Sequence, residues 1–240
     1  MPTNFAMLSR DRAPLHRGQR GLSIIELMVG VALGLFILGG ALALFVSLMG
    51  DNRRLLLEAR VNQEIRATAD IIARDLRRAG YWRNAMAGVG ATPVANPYGG
   101  ATWAGTSVQY AYDRDGNSTV TGSEQAGFQL NGNVIATNTG QPLTDPNTIQ
   151  VTTFTLPADA DAATQWTDLH YACACISTGT CTVAAIEALP LGHANRPQVG
   201  LRTATIVIEA QATADARIRR RLEETVRIRN DLTRGACPAP

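Results

Sequence analysis

The 240-residue sequence contains no lysine; arginine alone carries its positive charge. It also has no Gly-rich phosphate loop, no HExxH and no nucleophile elbow, so the short motifs of nucleotide binding and of metal- or serine-dependent hydrolysis are missing. Histidine is scarce, at three. His16 lies near the N-terminus, and neither His170 nor His193 stands beside a nucleophile. The aspartates are scattered, as solvated groups usually are, and are not paired for acid–base work. The chain is therefore expected not to be an enzyme.

Charge is missing altogether from residues 27–49, a run of 23. At about 1.5 Å per residue it makes roughly 35 Å of helix, enough to cross a hydrocarbon core of about 30 Å. Glu26 stands at its start, four residues after Leu22. A carboxylate near a membrane centre costs on the order of 2.5–3.5 kcal/mol and so calls for a partner. A secretory signal would have a shorter apolar region ending at a small-residue cleavage site. This run is longer and leads into an amphipathic helix, so the competing reading is an uncleaved signal anchor.

Gly21, the apolar Leu22, Ser23 and Glu26, followed by an uninterrupted apolar helix, resemble the signal of type IV prepilins and pseudopilins. The resemblance implies that a prepilin peptidase on the cytoplasmic face cuts between Gly21 and Leu22 and methylates the new N-terminus. It makes Glu26 the assembly carboxylate. Leu22 stands where phenylalanine is commonest in that family. The run 73–82, Ala-Arg-Asp-Leu-Arg-Arg-Ala-Gly-Tyr-Trp, is similar to minor pilins of the PilW type, as is Val-Arg-Ile-Arg-Asn at 226–230. The implied fold is α+β and type IV pilin-like, with a long N-terminal helix packed on a mostly antiparallel β-sheet head.

The expected organisation is a cytoplasmic leader at 1–21, a long helix at 22–80 whose residues 22–49 span the membrane, and a periplasmic head at 81–240. The leader holds Arg10, Arg12, Arg17 and Arg20 against Asp11, a net +3; since the whole chain is +2, the remainder is −1. That gives no case for nucleic-acid binding by bulk charge. The leader's arginines instead keep the N-terminus inside and send the body outward. Gly30, Gly34, Gly39 and Gly40 allow close helix approach, and the Gly39-Gly40 pair is where the helix is expected to loosen.

Beyond Asn52 the apolar positions Leu57, Val61, Ile65, Ala69, Ile72, Leu76 and Ala79 recur at helical spacing, as a stripe that packs under the head. A partner-helix use of the stripe is the alternative. Gly80 reads as the stop. Residues 84–106 read as an irregular connection. Strand-like segments follow at 107–112, 127–130, 133–137, 148–156, 169–174, 203–211 and 224–229, with a polar break at 159–164. Cys173, Cys175, Cys181 and Cys237 lie in the exported part and read as structural disulfides. Four cysteines allow three pairings. Cys173 and Cys175, one residue apart, are not expected to bond each other, so one closes a small loop with Cys181 and the other tethers Cys237. A zinc site would need ligand-like spacing that His170 and His193 do not supply.

Residues 113–124 carry the one constellation with ligand spacing. Asp113, Asp115 and Asn117 stand at positions 1, 3 and 5, the Thr119 carbonyl at 7 and Glu124 at 12, which suits calcium. Glycine, however, is at position 4, and Ser118 occupies position 6, where a sharp turn is needed. A polar hairpin connection explains the same residues. Arg217, Arg219, Arg220 and Arg221 form a basic cluster, but Glu223 and Glu224 interrupt it and no stacking aromatics accompany it. A solvated hairpin tip or the rim of a subunit interface fits better than DNA capture.

The resemblance thus implies a minor pilin in type IV pilus assembly and twitching motility. Its partners would be the prepilin peptidase, other minor and major pilins and an inner-membrane assembly platform. It would sit in the inner membrane first and in the pilus at the cell surface afterwards. The alternatives are a J-type pseudopilin of type II secretion and a pilus-associated adhesin or DNA-binding subunit.

Overall fold

A computed structural model describes residues 21–156 and 165–239. His16, the leader arginines and the break at 159–164 lie outside the described residues. Helix α1 spans Ile24–Leu76, shorter than the expected 22–80. Residues 21–23 are not helical, and residues 77–80 form turns. The chain divides into two compact units, Met1–Asn52 and Arg53–Pro240. The second unit, Arg53–Pro240, thus takes in the second half of α1 together with the residues from 81 onward.

In the first unit every described residue is exposed. Its helix is long and apolar enough to cross a membrane. A helix that is apolar all round needs lipid or other protein about it.

In the second unit α1 buries the stripe read from the spacing. Val61, Ile65, Ala69, Ile72 and Leu76 are buried, as are Thr68 and Ala73 beside them. Leu57 packs against the edge of the core, and Ala79 is buried just past the helix. The helix ends because Gly80 turns left-handed, at φ 74°, a conformation that costs glycine little. The Gly80 N–H donates to the Ala111 carbonyl at 2.9 Å, and Asn96 Nδ2 donates to the Gly80 carbonyl at 2.9 Å.

The head holds two antiparallel sheets, in keeping with the expected α+β arrangement of a long helix on an antiparallel β head. The first is a meander of β1 (Ala101–Trp103), β2 (Ser107–Ala111), β3 (Gln125–Asn131) and β4 (Val134–Thr137). The second contains β5 (Ile149–Thr155), β6 (Gln165–Asp168), β7 (Gln198–Ala212) and β8 (Asp215–Arg234). Strand β7 pairs with β5 along Val207–Ala212 and with β6 along 198–201, and β8 covers its other edge. Side chains from both sheets meet the α1 stripe in one core: Val108, Phe128 and Ile135 with Phe154, Ile206, Ile208, Val226 and Ile228. Each such side chain contributes about 1.5–3 kcal/mol by leaving water.

Two segments differ from the sequence reading. Residues 84–106 are not wholly irregular, since they contain a 3₁₀ turn at Ala85–Gly88 as well as β1. Residues 169–174 form no strand. A 3₁₀ turn at His170–Ala172 leads into α2 (Ala174–Thr178), with α3 (Val183–Glu187) following. Here the N–H groups of Cys173 and Ile176 donate locally, to the carbonyls of His170 and Cys173. A disulfide from Cys175 to Cys181, six residues on, then reverses the chain.

Candidate functional site

The signal residues occupy the entry to α1. Gly21, Leu22 and Ser23 are exposed and non-helical, so the bond after Gly21 lies in open chain of the kind proteases reach. The Ser23 carbonyl accepts the Leu27 N–H at 3.0 Å and so begins the helix ladder. Glu26 is exposed in the first turn, where the unpaired N–H groups and the helix dipole favour negative charge. An amine created on Leu22 would stand four residues before this carboxylate.

The 113–124 segment joins β2 to β3. Carboxylate oxygens of Asp113, Asp115 and Glu124 lie within 4.8 Å of one another. Each already accepts hydrogen bonds from the chain. Asp113 takes the N–H of Gly116 at 2.7 Å and of Arg83 at 3.1 Å. Asp115 takes the Asn117 N–H at 3.0 Å and the Asn117 side-chain amide at 2.7 Å. Asn117 Oδ1 in turn accepts the Thr119 N–H at 2.6 Å, so both side-chain atoms of Asn117 serve the loop.

Glu124 is only 1 % exposed. It accepts from the N–H groups of Arg114 and Thr121 at 3.0 and 2.9 Å, from the Thr121 hydroxyl at 3.1 Å and from the Tyr98 hydroxyl at 3.3 Å. Burial raises its pKa, but these donors outweigh burial and leave it below the ordinary value. The same neighbourhood pushes Tyr98 up to about 12, through burial first and then the charges of Asp113 and Glu124. Ser118 makes the turn at position 6 after all, with φ 62°, the one positive φ outside glycine among the described residues. Its hydroxyl accepts from Trp82 Nε1 at 2.9 Å. Asp113, Asp115 and Glu124 are the oxygens that could hold a cation, yet the loop is closed by hydrogen bonds of its own and tied to the turn after α1.

The cysteines join as Cys173–Cys237 and Cys175–Cys181. The first holds the C-terminal end against the α2 region, where Cys173, Cys175 and Cys237 form a small buried cluster. The basic cluster sits on β8, next to the Thr213–Ala214 turn. Arg217 pairs with Asp215, Arg220 with Glu58 of α1, and Arg221 with Glu209 and Glu223.

Two polar anchors, one buried and one half-buried, escaped the sequence reading. Arg202 is 2 % exposed and donates to the carbonyls of Gly99 at 3.2 Å and Asn230 at 2.7 Å. Its position two residues before Ala204, Ile206 and Ile208 on the alternating strand was the available signal. Asp168 receives Arg196 at 2.7 and 2.9 Å and Gln198 at 3.0 Å. The partners lie about 30 residues apart and carry no periodic signal.

Two family models match the chain. That of the prokaryotic N-terminal methylation motif covers residues 16–42, and that of prepilin peptidase-dependent protein B covers residues 54–228. No curated protein and no solved structure matches it.

Proposed function

The chain belongs to the prepilin peptidase-dependent protein B family, and from that premise we propose that it is a minor pilin of the PilW type which helps to prime type IV pilus assembly. Pilin-family domains are structural, and the methylation motif with its apolar helix makes this a membrane-anchored, pilin-like component of a pilus or pseudopilus. The observation that carries the finer reading is the placement of Glu26. It is the one charge between Gly21 and Met49, at the entry of α1, next to a peptide bond in open chain.

The mechanism has two stages. Before assembly, residues 22–49 hold the subunit in the inner membrane with the head in the periplasm. Prepilin peptidase cuts after Gly21 and methylates Leu22. On assembly the helix leaves lipid for a core made of other minor and major pilins, a transfer driven by the inner-membrane platform. Glu26 is desolvated there and takes the amine of a neighbouring subunit as its cation. A buried pair is favourable only in good geometry, and removing one member leaves an uncompensated charge. Assembly thereby depends on processing and on register.

A clean deletion, scored for surface pili, twitching and secreted hydrolases, tests the assignment. Lost pili with normal secretion, restored by the gene, is the expected result. Normal pili with lost secretion would make the protein a J-type pseudopilin instead. If both are normal, an adhesin or DNA-binding head replaces the priming role.

A further inference from the structure

We propose that the tip of the β7–β8 hairpin, with the α1 residues beside it, is a surface that rests on the anionic phospholipid headgroups of the bilayer α1 crosses. The inference rests on the membrane-anchored reading above and adds a second contact to it.

Chain continuity supplies the first step. The uncharged run ends at Met49, and Arg53 and Arg54 follow four and five residues later on the same helix, about one turn further on. A bilayer that holds residues 27–49 therefore brings its headgroup layer to these two arginines.

The structure then brings the hairpin to the same arginines. Arg220 Nη2 donates to Glu58 Oε2 at 2.5 Å. Ile218 is buried in the core that also takes Val61, with Leu57 packed against it. The Asp215 carboxyl is held below its ordinary pKa, by Arg217 first and also by the charge of Arg54. Arg54, Arg217 and Arg220 thus lie at one end of the head, with Arg53 and Arg219 beside them along the chain.

The charges favour an anionic surface. Residues 51–58 and 213–221 hold six arginines against Asp51, Glu58 and Asp215. Glu58 is shared between Arg54 and Arg220. Arg221 is held by Glu209 and Glu223, Glu64 accepts the Asp145 N–H further along, and the Asp145 carboxylate is taken up by Asn147 and Thr148 of its own loop. Arg217 pairs with Asp215 while its side chain stays 90 % exposed. Among the described residues the Arg219 side chain donates to its own strand alone, at the Ala216 carbonyl 3.1 Å away. The turn itself, Thr213 and Ala214, is small and exposed, with no bulky apolar group to insert. The contact is therefore electrostatic, with guanidinium forks meeting lipid phosphates.

The test uses the full-length chain in vesicles, with a photo-crosslinking residue at Ala214. Vesicles of phosphatidylcholine alone are compared with an equimolar mixture with phosphatidylglycerol. The chain should float with both, because α1 inserts in both, and lipid adducts should form mainly on the anionic vesicles. Arg217→Gln and Arg219→Gln should each cut the adduct yield about fivefold, and high salt should suppress it. Failure to float would overturn the anchored reading and this inference with it. Flotation with equal adducts on both lipids would overturn the inference alone. So would arginine variants that keep their lipid adducts but lose co-purification with other pilins, which would make the surface a subunit interface.

Discussion

Three carboxylates in this chain meet different fates, and in each case the donors around them decide it. Glu26 is exposed in the first turn of α1, and the mechanism proposed above pairs it with the amine that processing would create. Glu124 is buried yet ionised, because four donors replace the water it lost. Asp168 is held at about 2, against an ordinary 3.8, by the Arg196 hydrogen bonds first and by Gln198 in support. A depressed carboxylate stabilises the fold above its unfolded pKa, and that contribution fades as pH falls through the folded value. Stability from Asp168 should thus be complete above roughly pH 4 and should drain away towards pH 2. Asp168→Asn should lower the denaturation midpoint at neutral pH and flatten its fall across that window. An unchanged acid limb in urea titrations of the variant would show that the Arg196 contact contributes nothing.

At the scale of elements, legibility followed periodicity. The α1 stripe from Val61 to Leu76 and the alternation at Ala204, Ile206 and Ile208 could be read because each repeats its burial over several turns or pleats. What could not be read was set by contacts distant in sequence. The 169–174 segment has strand-like composition, but Cys173 is bonded to Cys237 and Cys175 to Cys181, and these links override propensity. Strand β8 runs nine residues earlier than the 224–229 segment suggested, starting at Asp215, because its arginine-rich start hides the apolar alternation that pairing with β7 imposes. Gly80 was legible as a stop, and the structure adds why alanine would fail there. Its φ is 74°, and an added Cβ would come within 2.6 Å of the Arg202 guanidinium. Gly80→Ala should cost about 1–3 kcal/mol. Gly80→Asn tolerates the left-handed region better but puts the same Cβ against Arg202, so it should destabilise as well. Equal midpoints for wild type and both variants in urea would show that this turn does not limit stability.

For the whole molecule, the candidate site was legible at its N-terminal end and only partly in the head. Gly21, Ser23 and Glu26 stand in a local pattern, so chain order alone suffices to propose them, and the methylation-motif model spans them. The 113–124 loop gave its residue list but not its wiring, since Tyr98, Trp82 and Arg83 reach it from another segment. The proposed mechanism makes one further demand on the whole chain: the cut after Gly21 and the carboxylate at Glu26 must act in sequence. Gly21→Glu puts a charged side chain at the cleavage point. It should leave the 21-residue leader attached, and with it the amine uncreated, so the chain should stay in the membrane fraction and be absent from sheared filaments. Glu26→Ala should be cut normally and yet also be absent, because the amine it would meet is then left without a counter-charge. Immunoblots of membrane and filament fractions separate the two defects by the mass of the leader. Filaments containing either the uncut chain or the alanine variant at wild-type levels would remove the amine–carboxylate pair from the mechanism and leave α1 packing as the sole driver of entry.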